Sequence, residues 1–105
     1  MNSGAIPAPR IVENEFAFAI RDINPRAPVH VLVIPKEHIV DAREIEVGNG
    51  ATLAGMVMLA REAARVEGVL ESGYRLAFNV GTDAGMTVSH LHMHLLGGRM
   101  LGAEG

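Results

Sequence analysis

The sequence predicts an α+β fold: an antiparallel sheet of about five strands with one long helix packed on a face. Three observations carry this. Three short apolar stretches follow one another between Arg10 and Pro35 with short links, as strands of an antiparallel sheet do. From Ala51 to Glu67 the apolar spacing changes to a helical period. Finally, His90-Leu91-His92-Met93-His94-Leu95-Leu96 alternates imidazole with aliphatic side chains, which is the period of a strand.

Taken in order, Met1–Pro9 carries prolines, a glycine and a serine and reads as a loose leader. Arg10–Asn14 is a short strand, and Asn14-Glu15 turns into the next. Phe16–Ile20 alternates large and small apolar residues, as in a strand buried on both faces. Asp22–Pro28, with Asp, Asn and two prolines, is a connection. His30–Ile34 is apolar and rich in β-branched residues, Pro35 closes it, and His30 shares a face with Leu32 and Ile34. Lys36–Val47 is amphipathic but short. In the helix, Leu53, Met56, Val57, Ala60 and Ala64 follow the i, i+3, i+4, i+7 series, and its methionines and leucines read as core. Asn49 or Thr52 caps its start and Gly68 ends it. Gly73-Tyr74 is a turn, Arg75–Val80 a fourth strand, Gly81–Ser89 a loop, and Gly97-Gly98 stops the histidine strand.

The bulk properties narrow the function. At 105 residues the chain spans one domain, 1–105, small enough that a partner subunit is expected. A net charge of −3 provides no footprint for nucleic acid or an anionic membrane. There is no cysteine, hence no disulfide framework, thiolate zinc site or cysteine nucleophile. Neither a signal peptide nor an apolar run approaching the length of a membrane span is found, so a soluble cytoplasmic protein is expected.

The histidine row points to chemistry on a charged group. On a strand its imidazoles fall on one face, ~6.5–7 Å apart, with Leu91, Met93 and Leu95 packed behind. Histidine titrates near neutrality, so such a row suits nucleophilic or acid–base work. Asn79 to Ser89, leading into the row, offers two glycines, two threonines and a serine with one charge. Its backbone N–H groups, and the hydroxyls of Thr87 and Ser89, suit a phosphate. A phosphate held there would meet His92, central in the row and best placed as nucleophile. No Walker-type Gly-x-x-x-x-Gly-Lys is present, and imidazoles and amides can supply the positive field without metal. A zinc site drawn from His90, His92, His94 or His30 is the weaker reading, because three histidines so spaced cannot all reach one ion at ~2.0–2.1 Å.

The same seven residues resemble the His-φ-His-φ-His-φ-φ signature (φ apolar) of the histidine-triad family of nucleotide hydrolases and transferases. The likeness extends to Ile6-Pro7-Ala8, Ala19 to Pro25, Ala27 to Ile39, Gly73-Tyr74-Arg75 and His94 to Arg99, which resemble the nucleoside phosphoramidase (Hint-like) branch. The resemblance implies a hydrolase that separates a purine nucleoside 5′-monophosphate from an amine or acyl group through a phosphohistidine at His92. It implies that His94 hydrogen-bonds the phosphate while His90 and His30 orient and polarise the row. Asp22 would bind the ribose hydroxyls and Ile23 the base, while Asn79, Gly85 and Thr87 hold the phosphate. It further implies a homodimer that continues one sheet across both subunits, and no cofactor or metal. His38 reads as a surface histidine. Met86 stands where Hint-like members carry a polar glutamine, which removes one hydrogen bond near the phosphate. Two alternatives stand beside this reading: a dinucleoside polyphosphate hydrolase or nucleotidyl transferase, and a nucleotide-binding adaptor without important turnover.

Overall fold

Asn14 shows how local chemistry sets the first corner. Its Oδ1 accepts from the backbone N–H groups of Phe16 (2.8 Å) and Ala17 (2.9 Å), an Asx turn that joins strand β1 (Arg10–Glu13) to β2 (Ala17–Arg21). Its Nδ2 donates to the Gly55 carbonyl at 3.0 Å and ties the corner to the helix above. The computed structural model describes residues 9–84 and 89–103.

β3 (Val29–Pro35) follows, then two single 3-10 turns at Ala42–Glu44 and Val47–Asn49 and helix α1 (Gly50–Glu67). β4 (Tyr74–Phe78), a third 3-10 turn (Thr82–Ala84) and β5 (Met93–Gly97) complete the order. The five strands form one antiparallel sheet, as the sequence predicts, and their spatial order is β1-β2-β3-β5-β4. Among the described residues no helix is long and apolar enough to cross a membrane.

The sheet has two unlike faces because its side chains alternate. Ala17, Ala19, Val31, Val33, Met93 and Leu95 point toward α1 and form the main core with Met56, Leu59, Ala60, Ala63 and Ala64. The alanines let the helix axis lie close to the sheet. Opposite them, Phe18, Ile20 and Ile34 form a second, smaller buried cluster with Leu32 packed against it. Register puts His30, His94 and Asp22 on this second face, since His94 pairs with Leu32, His30 with Leu96, and Asp22 N–H donates to the His30 carbonyl.

The helix differs from expectation in its rotation. Val57 is 50 % and Met58 56 % exposed, and the buried stripe runs through Met56, Leu59, Ala60, Ala63 and Ala64. Propensity does not separate Val57 from Leu59; contact with the sheet does. Gly68 ends the helix in the left-handed conformation (φ 81°), donating its N–H to the Ala64 and Arg65 carbonyls. Neither proposed N-cap side chain bonds the helix start. Asn49 Oδ1 accepts from Glu46 N–H, and its Nδ2 and the Thr52 hydroxyl both donate to Glu37.

Gly55 is required by packing. A Cβ there would lie 2.5–2.7 Å from Cδ2, Cβ and Cγ of Phe16. Gly55→Ala gains helix propensity of about 1 kcal/mol, yet the overlap involves a side-chain root that cannot swing away. The substitution is therefore expected to destabilise the protein by on the order of 1–2 kcal/mol. Urea unfolding of the two proteins checks this; an unchanged or raised midpoint would mean that the helix is free to lift off Phe16.

Candidate active site

The histidine stretch enters the sheet later than its alternation predicts. Only Met93–Gly97 is hydrogen-bonded strand. The register would next bring Leu91 opposite Pro35, which has no N–H to offer, and Leu91 N–H goes instead to the Ile39 carbonyl at 2.6 Å. The alternation of faces survives: Leu91, Met93 and Leu95 are buried in the core, while the rings of His92 and His94 lie 5.1 Å apart on the other face. His90 is the exception to the expected row. Its Nε2 donates to the Pro35 carbonyl (3.2 Å), and its ring stands edge-on to His38 at 5.2 Å. His38 is exposed, as predicted, but it packs on a triad member.

Hydrogen bonds fix which nitrogen of each ring carries its proton. The backbone N–H of Arg26 points at His30 Nδ1 (3.1 Å), so neutral His30 has its hydrogen on Nε2. That N–H faces His94 Nδ1 at 2.9 Å and Asp22 Oδ2 at 3.2 Å. His94 Nδ1 is thus an acceptor, and its own hydrogen stands on Nε2, facing the open side of the sheet. Asn79 Nδ2 lies 3.2 Å from that Nε2, and the proton chain requires its carboxamide to turn Oδ1 there instead. His92 is set the opposite way. Its Nδ1–H donates to the His90 carbonyl (2.8 Å), which leaves the Nε2 lone pair bare. Two adjacent imidazoles therefore present one nucleophilic nitrogen and one N–H donor.

The other expected site residues fall into three groups. Asp22 joins the cluster: its Oδ1 is held by Asn24 N–H at 2.8 Å, and its Oδ2 meets His30. Ile23, in the same loop, is 74 % exposed. Gly85, Thr87 and Met86 lie outside the described residues. One residue escaped the sequence reading. Arg26 supplies the N–H that sets His30, and its guanidinium Nη2 stands 3.5 Å from His94 Nδ1. Its only sequence signal is a basic residue four positions before His30 in a proline-bounded loop.

Among the described residues, Asp22, His30 and His94 are the one group of three whose ligand atoms lie within 4.8 Å of one another. The donor chemistry does not fit a cation. Metal-bound histidine donates its other N–H to an acceptor, whereas His30 Nδ1 receives an N–H and its Nε2 hydrogen points into the would-be site. The Arg26 guanidinium adds a positive charge beside His94.

The comparisons agree with this geometry. The model of the HIT domain matches residues 3–101. The chain belongs to the HIT family. It is 40 % identical over 97 residues to a purine nucleoside phosphoramidase of Escherichia coli strain K12, covering 92 % of this chain and 82 % of that protein. Among solved structures, a HIT family hydrolase from Clostridium thermocellum superposes with a TM-score of 0.89 at 48 % identity, covering 94 % of this chain and 86 % of that one. One from Legionella pneumophila gives 0.86 at 44 %, covering 92 % and 87 %. This HIT chain shares with them the helix-on-sheet frame that carries the histidines.

Burial disfavours the charged form of three of the HIT histidines, and of His94 most of all. It pushes His94 down to about 4, with the nearby His92, His30 and Arg26 charges adding in the same direction and Asp22 opposing. His30 and His90 are lowered by burial as well. A histidine so depressed stays unprotonated in the fold while the unfolded chain binds a proton below about 6.5, so stability falls as the pH drops from about 7 toward 4 and levels off beneath that. Urea midpoints at pH 7 and pH 5 are expected to differ in that direction, and the His94→Gln variant to show a smaller drop. An NMR titration placing the His94 ring near its ordinary value would overturn the assignment.

Proposed function

We propose that this protein is a hydrolase that cleaves a purine nucleoside 5′-monophosphate from an amine or acyl group, with His92 as nucleophile. The observation that carries the reading is the opposed pair: a bare Nε2 on His92 beside an Nε2–H donor on His94. Phosphoryl transfer needs a nucleophile and a stabiliser for charge on the phosphate oxygens at neighbouring positions. Membership of the HIT family and the likeness to the E. coli phosphoramidase support it.

In this scheme His92 Nε2 attacks the α-phosphorus, and the bond to the leaving amine or acyl oxygen breaks. A phosphohistidine results, which water then cleaves to release the nucleoside monophosphate. His94 donates its Nε2–H to a phosphate oxygen. His30 acts on His94, fixing its tautomer by donating to Nδ1, and His90 acts on His92 through its carbonyl. Asp22 holds the ribose hydroxyls with its exposed edge, and Asn79, Gly85 and Thr87 complete the phosphate cradle. The base lies against the apolar platform of Phe18, Ile20 and Leu32 on the same face, with Ile23 closing over it. No metal or cofactor takes part.

The reading includes a homodimer. Among the described residues β4 is an edge strand with no strand on its outer side, and a chain of this length buries a limited share of its surface alone. A second copy pairing along β4 would continue the sheet. Light scattering on a sizing column is expected to give twice the 11.2 kDa chain mass; a monomer at micromolar concentration removes the dimer from the proposal.

Turnover of an adenosine 5′-phosphoramidate tests the chemistry. The wild type is expected to cleave it, and His92→Ala to lose about 10³-fold or more in kcat while still binding the nucleotide. Binding without cleavage by the wild type would leave a nucleotide-binding adaptor. Cleavage that survives in His92→Ala would refute the nucleophile.

A further inference from the structure

His38 is the histidine to which the proposed chemistry gives no task, and it is exposed. It lies in a segment, residues 35–39, that is fixed on several sides. Lys36 N–H donates to the Phe16 carbonyl at 2.8 Å, and its Nζ pairs with Glu13 at 2.7 Å. The Glu37 carboxylate accepts from Asn49 Nδ2 and from the Thr52 hydroxyl at the start of α1. Ile39 is buried in the main core. With its neighbours so tied, the segment is a rigid ledge, and His38 is the side chain that it sets against the histidine stretch.

The ledge meets that stretch at three points. The Pro35 carbonyl accepts from His90 Nε2 (3.2 Å), and the Ile39 carbonyl accepts from Leu91 N–H (2.6 Å). The His38 ring stands edge-on to the His90 ring, with centroids 5.2 Å apart and planes at 84°. These contacts matter because the β3–β5 pairing stops at Met93, so no strand ladder fixes the peptide between His90 and Leu91. That peptide unit has two partners. Its N–H is bound to Ile39, and its carbonyl accepts His92 Nδ1–H at 2.8 Å, the bond that leaves His92 Nε2 bare. Its remaining end is the His90 Cα, which is held through the ring. A single hydrogen bond at Nε2 leaves that ring free to swing about the N–H···O axis. An edge-to-face contact at this spacing removes the freedom.

We propose that His38 is a positioning residue for His92: by buttressing the His90 ring it holds the His90 carbonyl on His92 Nδ1, and so keeps His92 Nε2 unprotonated and aimed. His38 acts through His90 and touches no reacting atom. Its part in turnover rests on the phosphoramidase reading, whereas the tautomer of His92 can be read in the resting protein.

Nitrogen-15 NMR of the neutral histidine rings reports which nitrogen of each carries its hydrogen. In the wild type His92 is expected to show a protonated Nδ1 and a bare Nε2. His38→Ala is expected to move both His92 resonances toward a mixture of the two tautomers and to leave those of His94 in place. It should also lower kcat for an adenosine 5′-phosphoramidate about fivefold, the scale of one edge-to-face contact, with KM unchanged to within about twofold. His38→Phe, which keeps a flat ring there without its nitrogens, is expected to restore both readouts. Urea midpoints of the same proteins separate positioning from general loosening. A lowered midpoint with the His92 tautomer intact makes His38 merely structural and overturns the proposal. An unaltered tautomer and kcat in His38→Ala overturn it too, as does a His38→Phe protein that behaves like His38→Ala. If the wild type cleaves no phosphoramidate but His38→Ala still mixes the His92 tautomers, the hydrolase reading fails and the positioning role stands.

Discussion

The site depends on where one backbone N–H points. Arg26 donates to His30 Nδ1 and so decides that His30 carries its proton on Nε2. Each later assignment follows in turn: His30 donates to His94 Nδ1, and His94 is left with an outward N–H. Because His94 is buried and held neutral, that N–H is a preorganised dipole. A protonated ring would offer the same outward hydrogen but would break the link to His30, since both facing nitrogens would be donors. The same proton order disfavours a cation at Asp22, His30 and His94, although their ligand atoms are close enough to suit one.

The sheet makes this possible by separating two tasks. One face is given to α1, whose alanines bring it close, and the resulting core holds β2, β3 and β5 in fixed register. The other face then displays a strip running from Phe18 and Ile20 through His30 and His94 to Ala77 and Arg75, passing from apolar to imidazole to cationic. Pro35 contributes at the boundary, because its missing N–H ends the β3–β5 ladder and frees the segment carrying His90 and His92 from strict strand geometry. His92 can then bring its ring within 5.1 Å of His94 while turning Nδ1 to the His90 carbonyl.

Much of this is legible in the sequence because it is local and periodic. Alternation in His90–Leu96 separates core from site residues without any knowledge of the fold. The change of period at Ala51 identifies the helix, and Gly68 its end. The Asx turn at Asn14 and the closure of β3 by Pro35 follow from single side chains. Local pattern also misleads where packing decides. Val57 fits the helical series as well as Leu59 does, yet it faces solvent, and Asn49 and Thr52 have the chemistry of caps but are drawn to Glu37.

The sequence by itself determined the α+β class, the order of the elements, the family and the face that His92 and His94 share, because each is written in spacing and residue type. Only the tertiary structure decided the tautomers, the turning away of His90 toward Pro35 and His38, and the place of Arg26 beside His94. Those depend on contacts far apart in the chain: His94 with Arg26 and His30, 68 and 64 positions earlier, and His90 with Pro35, 55 positions earlier. Such contacts are set by strand register and side-chain direction, and no local period records which way an N–H or a guanidinium will point.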